Sequence, residues 1–287
     1  MPYAHPEALV SSQWLASHRN DPRVRVLDAS FKMPGITPTA VEDYAVAHIP
    51  GAVFFDIDAI ADHSSSLPHM LPDEATFAAT MGELGIGDDD LAVVYDSAGL
   101  VGAARAWWML RAFGHNKVAI LDGGLPKWRA EGYPVIDVPA TPRRASSTAR
   151  FDAALVRDKA ALVANLAGGA EQVLDARATD RFEGRAAEPW PGRRSGHIPG
   201  SRNLPYPLLT DPTDRTLLPA EELEHRFREA GMDPVGPVVC SCGSGITACV
   251  LAFGLHLLGR KDVAVYDGSW AEWGLPGETP IATGPAG

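Results

Sequence analysis

The chain is poor in cysteine: of 287 residues only Cys240, Cys242 and Cys249 are cysteines, all within ten positions of one another. That number and spacing exclude a disulfide framework and lead us to expect a reducing compartment, the cytoplasm. Long apolar runs are also missing. The longest, Val250 to Leu258, is interrupted by Gly254 and His256, far short of the roughly 20 apolar residues of a membrane-spanning helix. The opening Met-Pro-Tyr-Ala-His-Pro-Glu lacks the basic-then-apolar order of a secretory leader. Positive charge is scarce, since 25 Lys and Arg against 36 Asp and Glu leave a net charge of −11. Nucleic acid and anionic lipid are therefore not expected partners. What is present, 46% hydrophobic and 21% charged residues with 28 Gly and 24 Pro, is the composition of a turn-rich folded protein. At roughly 100–200 residues per domain the length allows about two domains.

The two halves are copies of one unit. Val26-Leu27-Asp28-Ala29 matches Val173-Leu174-Asp175-Ala176 at an offset of 147, and His48-Ile49-Pro50-Gly51 matches His197-Ile198-Pro199-Gly200 at 149. Val93-Val94, Gly114, Asp122-Gly123 and Trp128 then match Val238-Val239, Gly259, Asp267-Gly268 and Trp273, all at 145. In each unit β-branched runs alternate with amphipathic stretches, which predicts a mainly parallel sheet flanked by helices. The strands are expected at 24–29, 91–95 and 117–121, then at 172–175, 237–240 and 263–266. Asp73 is a candidate cap for a helix carrying Phe77, Met81 and Leu84, stopped at Gly85. Its counterpart runs from Ala220 with Leu223 and Phe227 inward and Gly231 as the stop. A stretch rich in Pro, Ser and Arg without apolar periodicity separates the units. We therefore expect two tandem α/β domains at 1–138 and 151–287, joined by a linker at 139–150.

The copies differ at one chemically decisive place. After the strand ending at Cys240, the second unit reads Ser241-Cys242-Gly243-Ser244-Gly245-Ile246-Thr247-Ala248 and enters an apolar helical stretch. A tight strand-to-helix loop with two glycines lets backbone amides converge, and the helix adds its positive end. A cysteine there should be held as a thiolate, the nucleophilic form. The first unit has Ser97 in that position, within Asp96-Ser97-Ala98-Gly99-Leu100. Cys240 on its strand and Cys249 on its helix read as packed core residues. The Cys-x-Cys spacing lacks the paired pattern of structural zinc, so no metal is expected. His48 and His197 recur in both units although only one has the cysteine, which favours a structural role. The tryptophans 107, 108, 128, 270 and 273 read as packing residues.

The duplicated His-Ile-Pro-Gly element, the Cys242–Thr247 loop and Tyr266-Asp267-Gly268-Ser269-Trp270 resemble two-domain rhodanese-type sulfurtransferases over nearly the whole chain. The resemblance implies two tandem rhodanese-like domains, the first without a nucleophile. It also implies a reaction in which Cys242 takes a sulfur atom from a small anionic donor as a persulfide. The sulfur then passes to a thiol acceptor, such as thioredoxin or a low-molecular-weight thiol, or to cyanide. No cofactor is implied. Members acting on thiosulfate usually carry Arg and Lys after the nucleophile, whereas this loop has Gly243 and Ser244. The resemblance therefore points to 3-mercaptopyruvate as donor, releasing pyruvate, with thiosulfate as the alternative.

By the same resemblance, Arg181 binds the donor carboxylate as a bidentate fork. Gly243, Gly245, Ile246 and Thr247 line the substrate, and Ser244, His69 and Asp58 form a proton relay in which a carboxylate orients the imidazole. One departure stands out: Trp190 occupies the place of a second substrate arginine, with Arg185 or Arg193 as candidate substitutes. Two rivals are disfavoured. A phosphatase of this fold needs a longer loop ending in arginine, where this chain has Thr247-Ala248, and a noncatalytic sulfur-carrier or binding module has no need of Cys242.

Overall fold

The computed structural model describes residues 2–233 and 235–286. In the first half, strands β1 (Leu9–Val10), β2 (Val24–Asp28), β3 (Val53–Phe54), β4 (Leu91–Tyr95) and β5 (Val118–Leu121) form one sheet. Helices α1 (Ser12–His18), α2 (Ala40–Val46), α3 (Ile57–Ile60), α4 (Glu74–Glu83), α5 (Val101–Ala112) and α6 (Gly124–Ala130) flank it. The second half repeats the plan with β6 (Val156–Arg157), β7 (Gln172–Asp175), β8 (Arg202–Asn203), β9 (Val238–Ser241) and β10 (Val263–Tyr266). Its helices are α7 (Lys159–Gly168), α8 (Thr179–Phe182), α9 (Ala220–Glu229), α10 (Ala248–Leu257) and α11 (Ser269–Trp273). The strand orders, β1-β5-β4-β2-β3 and β6-β10-β9-β7-β8, are the same order twice, and every pairing is parallel.

The six expected strands form with ends shifted by at most one residue. The four two-residue strands β1, β3, β6 and β8 escape a periodicity reading because two residues carry no period. Central strands such as Val93-Val94-Tyr95 and Val238-Val239-Cys240 are fully buried, as expected when helices cover both faces of a parallel sheet. Asp73 caps α4 by accepting from the Thr76 amide at 2.7 Å. His48 and His197 take structural places. Each backbone bridges to a distant segment, and each ring nitrogen Nδ1 bonds a carbonyl, Tyr44 for the first and Phe182 for the second.

The two domains face each other through α5 and α10, both apolar around nearly their whole circumference because each lies between its own sheet and the other domain. Trp107 of α5 meets Phe253 of α10 edge to face at 5.0 Å. On either side of this seam each domain lends a turn to the other. The Leu71 amide donates to Asp267 at 2.8 Å, and the pseudo-equivalent Leu217 amide donates to Asp122 at 2.8 Å. His69 and Arg215 hold matching places in these turns, both in the left-handed backbone region at φ 61° and 64°. Segment 139–150 runs along the first domain, where Ala145 donates to the Gly82 carbonyl and Thr148 to Asp88.

Candidate active site

Cys242 begins the turn between β9 and α10 and is 1% exposed. The start of α11 fixes the turn from behind. The Trp270 amide donates to the Cys242 carbonyl at 3.0 Å, the Ala271 amide to the Gly243 carbonyl at 2.7 Å, and the Cys242 amide to the Ser269 hydroxyl at 3.1 Å. With the carbonyls held there, the amides of Gly243, Ser244, Gly245, Ile246, Thr247 and Ala248 donate to no acceptor among the described residues. Six successive free amides at the N-terminus of a helix make a cradle for negative charge. Gly245 is needed in it: at φ 77° a side chain there would meet the Asp267 carbonyl at 2.6 Å. Cys240 and Cys249 are buried, and burial pushes both thiols up, so they remain protonated packing groups. All three cysteines are unpaired.

The first domain shows what such a loop does when its anion is built in. Asp96, matching Ser241, accepts from the amides of Ala98, Gly99 and Ala103 at 2.8, 2.5 and 2.9 Å. Those amides correspond to Gly243, Ser244 and Ala248. One loop is thus filled by the protein's own carboxylate. The other has Ser241, whose buried hydroxyl has no partner among the described residues, and its amides stay open beside a thiol.

The first domain supplies the wall opposite. His69 Nδ1 and Asp58 are 2.6 Å apart, although the carboxylate side chain is 52% exposed. The His69 ring meets Phe31 at 5.0 Å and Trp190 at 5.7 Å, edge to face in both cases. Its Nε2 is buried without a partner among the described residues. The structure thus joins two of the three expected relay residues. Ser244, 6% exposed in the loop, makes no side-chain hydrogen bond among the described residues, to His69 or otherwise. Trp190, expected only as a missing arginine, is an aromatic contact of His69.

Arg181 lies over the loop, with Nη2 2.8 Å from the point where a Gly243 side chain would begin. It is aimed there by Glu188, which accepts from its Nε and Nη2 at 3.2 and 2.5 Å. The buried Glu188 carboxylate also takes Arg177 at 2.8 Å, and Arg177 grips Asp175 and stacks on Trp270 at 4.3 Å. Of the candidate substitutes, Arg193 bonds at 2.9 Å the carbonyl of Ala271, the residue whose amide holds Gly243. Arg185 is exposed and ion-paired with Asp180 and Glu183, because five residues beyond Asp180 its fork falls back on its own helix end. The Ile246 side chain is buried in the core, so its amide is the part that joins the loop. Thr247 opens α10 without a side-chain cap. Among the described residues, no three His, Cys, Asp or Glu side chains converge as a metal site.

The sequence reading missed Glu188, two residues before Trp190, because a helper of an arginine has no spacing signature. Asp96 was legible in principle from the aligned repeats, as an acid facing Ser241.

The fold and site define a duplicated α/β protein with one loop thiol in an amide cradle, closed by a histidine from the other copy. The rhodanese-like domain model matches residues 11–131 and again 158–275, and the chain belongs to the rhodanese-like family. It is 45% identical over 301 residues to thiosulfate/3-mercaptopyruvate sulfurtransferase 2 of Arabidopsis thaliana, covering 98% of this chain and 88% of the relative. It is 42% identical over 291 residues to thiosulfate sulfurtransferase of Cricetulus griseus, covering 98% and 97%. The crystal structure of SseA from Escherichia coli, described as a 3-mercaptopyruvate sulfotransferase, matches with a TM-score of 0.84 at 39% identity. That match covers 92% of this chain and 99% of that one. No helix among the described residues is long and apolar enough to cross a membrane.

Proposed function

We propose that this protein moves a sulfur atom from 3-mercaptopyruvate through a Cys242 persulfide to a thiol acceptor, such as thioredoxin or a low-molecular-weight thiol, or to cyanide. The observation that carries the reading is the row of unused amides from Gly243 to Ala248 around Cys242, in contrast to the Asp96-filled copy. Arg181 over Gly243 supports a donor anchored by its carboxylate at the loop's edge. Arg193 is the second guanidinium within reach of that edge.

In the first half-reaction the Cys242 thiolate attacks the donor sulfur. The S–S bond forms as the C–S bond breaks, and that electron pair passes to the donor carbon as the enolate of pyruvate. The enolate takes up one proton and leaves as pyruvate, and the outer sulfur stays on the enzyme as Cys–S–SH. His69 Nε2, oriented through Nδ1 by Asp58, is the group placed to move a proton. Ser244, buried beside the nucleophile, is the hydroxyl that a bound donor would link to it. In the second half-reaction an acceptor thiolate, or cyanide, attacks the outer sulfur and regenerates the Cys242 thiolate. The loop amides serve as fixed donors to the sulfur's charge in both halves.

The decisive test is sulfur transfer with 3-mercaptopyruvate and with thiosulfate, for the natural protein and Cys242→Ser. Loss of transfer in the variant and a higher kcat/KM for 3-mercaptopyruvate are expected. Retained transfer in Cys242→Ser overturns the mechanism, and a higher kcat/KM for thiosulfate overturns the donor. The three unpaired cysteines support a cytoplasmic place; a labelled chain found in another compartment overturns it.

A further inference from the structure

Arg105, on α5 of the first domain, is 0% exposed. Its guanidinium reaches across the seam to Asp267 at 2.7 Å and to the Gly245 carbonyl of the cysteine loop at 3.1 Å. Its other terminal nitrogen donates to the carbonyl of His69. The face of the group lies on Trp108 at 4.6 Å. Asp267 in turn accepts the Leu71 amide. One buried ion pair therefore holds the His69 turn twice, by the carbonyl of His69 and by the amide two residues on, and holds the cysteine loop through Gly245.

The duplication separates this arrangement from simple domain adhesion. At the pseudo-equivalent seam, Asp122 accepts the Leu217 amide at 2.8 Å just as Asp267 accepts Leu71, and Arg215 sits where His69 does, again with positive φ. The residue matching Arg105 there is Val250, fully buried on α10. The domains thus hold together on that side without a buried guanidinium, the exposed Arg215 reaching, among the described residues, only the Ala98 carbonyl at 3.1 Å. A buried ion pair is weak evidence for stability, because removing both charges from water offsets much of their attraction. Its fixed fork geometry sets positions instead.

We propose that Arg105 is a positioning residue that sets His69 in register with the Cys242 loop across the domain seam. This rests on the reading that His69 moves a proton in sulfur loading. Without the guanidinium, the His69 carbonyl loses its donor and the left-handed turn loses one of its two anchors. A shift of about 1 Å in a catalytic group slows a reaction by about 100-fold.

The test is single-turnover loading of Cys242 by 3-mercaptopyruvate, read as the mass gain of one sulfur atom. The proteins are the natural one, Arg105→Met, Arg105→Lys, His69→Ala and the double variant Arg105→Met/His69→Ala, each checked for folding by circular dichroism. Arg105→Lys serves if Arg105→Met does not fold, since lysine keeps the charge beside Asp267 but cannot serve three acceptors. Loading in either arginine variant is expected to fall about 100-fold in maximal rate. The half-saturating donor concentration should stay within about threefold, because no donor contact is lost. The double variant should load no more slowly than His69→Ala, as two residues acting through one step require. Asp122→Asn, at the seam without a buried arginine, should load at the natural rate. Multiplying effects in the double variant, or a raised half-saturation at unchanged maximal rate, overturn the proposal. If His69→Ala loads at the natural rate, the proton-transfer reading falls. If His69→Ala is slow while both arginine variants are not, only the role of Arg105 falls.

Discussion

Ser241→Asp places in the second domain the carboxylate that fills the loop of the first. In the first domain Asp96 accepts three amides at 2.8, 2.5 and 2.9 Å. At about 1.5–3 kcal/mol for each hydrogen bond to a charged group, three contribute roughly 5–9 kcal/mol. Against that stand several kcal/mol for burying one ion, so the two are comparable. Burial pushes the Asp96 carboxyl up while these amides pull it down, and it still lies above its ordinary range, burial being the larger cause. A carboxylate at 241 would find the amides of Gly243, Ser244 and Ala248 equally open, and it would settle next to the sulfur. A like charge within about 4–6 Å suppresses the thiolate about 10- to 1,000-fold, and the donor anion loses its amides as well. The assay is the rate of Cys242 alkylation by iodoacetamide at pH 7, with sulfur loading from 3-mercaptopyruvate beside it. Both should fall at least 10-fold in Ser241→Asp, whereas Ser241→Ala should behave as the natural protein because the Ser241 hydroxyl has no partner among the described residues. Natural rates in a folded Ser241→Asp would refute the idea that the loop is an anion cradle.

Three further outcomes follow from buried charges. Glu188→Gln removes the carboxylate that aims Arg181 over Gly243, so KM for 3-mercaptopyruvate should rise about 10- to 100-fold, at about 1.4 kcal/mol per tenfold. An unchanged KM would take Arg181 out of donor binding. Asp122 is held up at about 6 chiefly by burial. Its contribution to stability is complete below about 3.8, the unfolded value, and is lost as pH rises through about 6. Asp122→Asn should therefore gain in melting temperature relative to the natural protein between pH 4 and pH 7, about the window between those values; equal pH profiles would contradict it. His256 is lowered to about 3 by burial and then by Arg111, so its contribution is complete above about 6.5 and is lost as pH falls through about 3. His256→Gln should lose less stability than the natural protein on acidification from pH 7 to pH 4, as read by thermal denaturation.

Much of the fold was legible because the chain states it twice: the matches at 26–29 and 173–176, or 93–94 and 238–239, fix strands by repetition as well as by pattern. The cysteine loop was legible because glycines at 243 and 245 between a strand and a helix have few other uses. The family resemblance names Arg181 and the Asp58–His69 pair, and the structure brings each to the loop or to its partner. Ser244 was named equally, yet it is not bonded to His69, and Arg185 lies in surface ion pairs. Spacing specifies which residues share a segment, while side-chain direction depends on what competes for each donor and acceptor.

Sequence alone determined the duplication, the parallel α/β domains and the single loop cysteine, because repeats, strand runs and glycine turns are encoded over a few neighbouring residues. Only the tertiary structure decided that the cradle amides of the second domain are open while Asp96 closes those of the first. It also decided that Glu188 aims Arg181, that Trp190 lies against His69, and that Arg105 ties His69 to the loop from 140 residues away along the chain. The last two depend on contacts between segments far apart in sequence, whereas Asp96 and Glu188 act on near neighbours through side-chain directions that spacing does not specify. Whether an amide is free or a carboxylate is paired is settled only when side chains take their directions, within one domain for Asp96 and Glu188 and across the seam for Arg105.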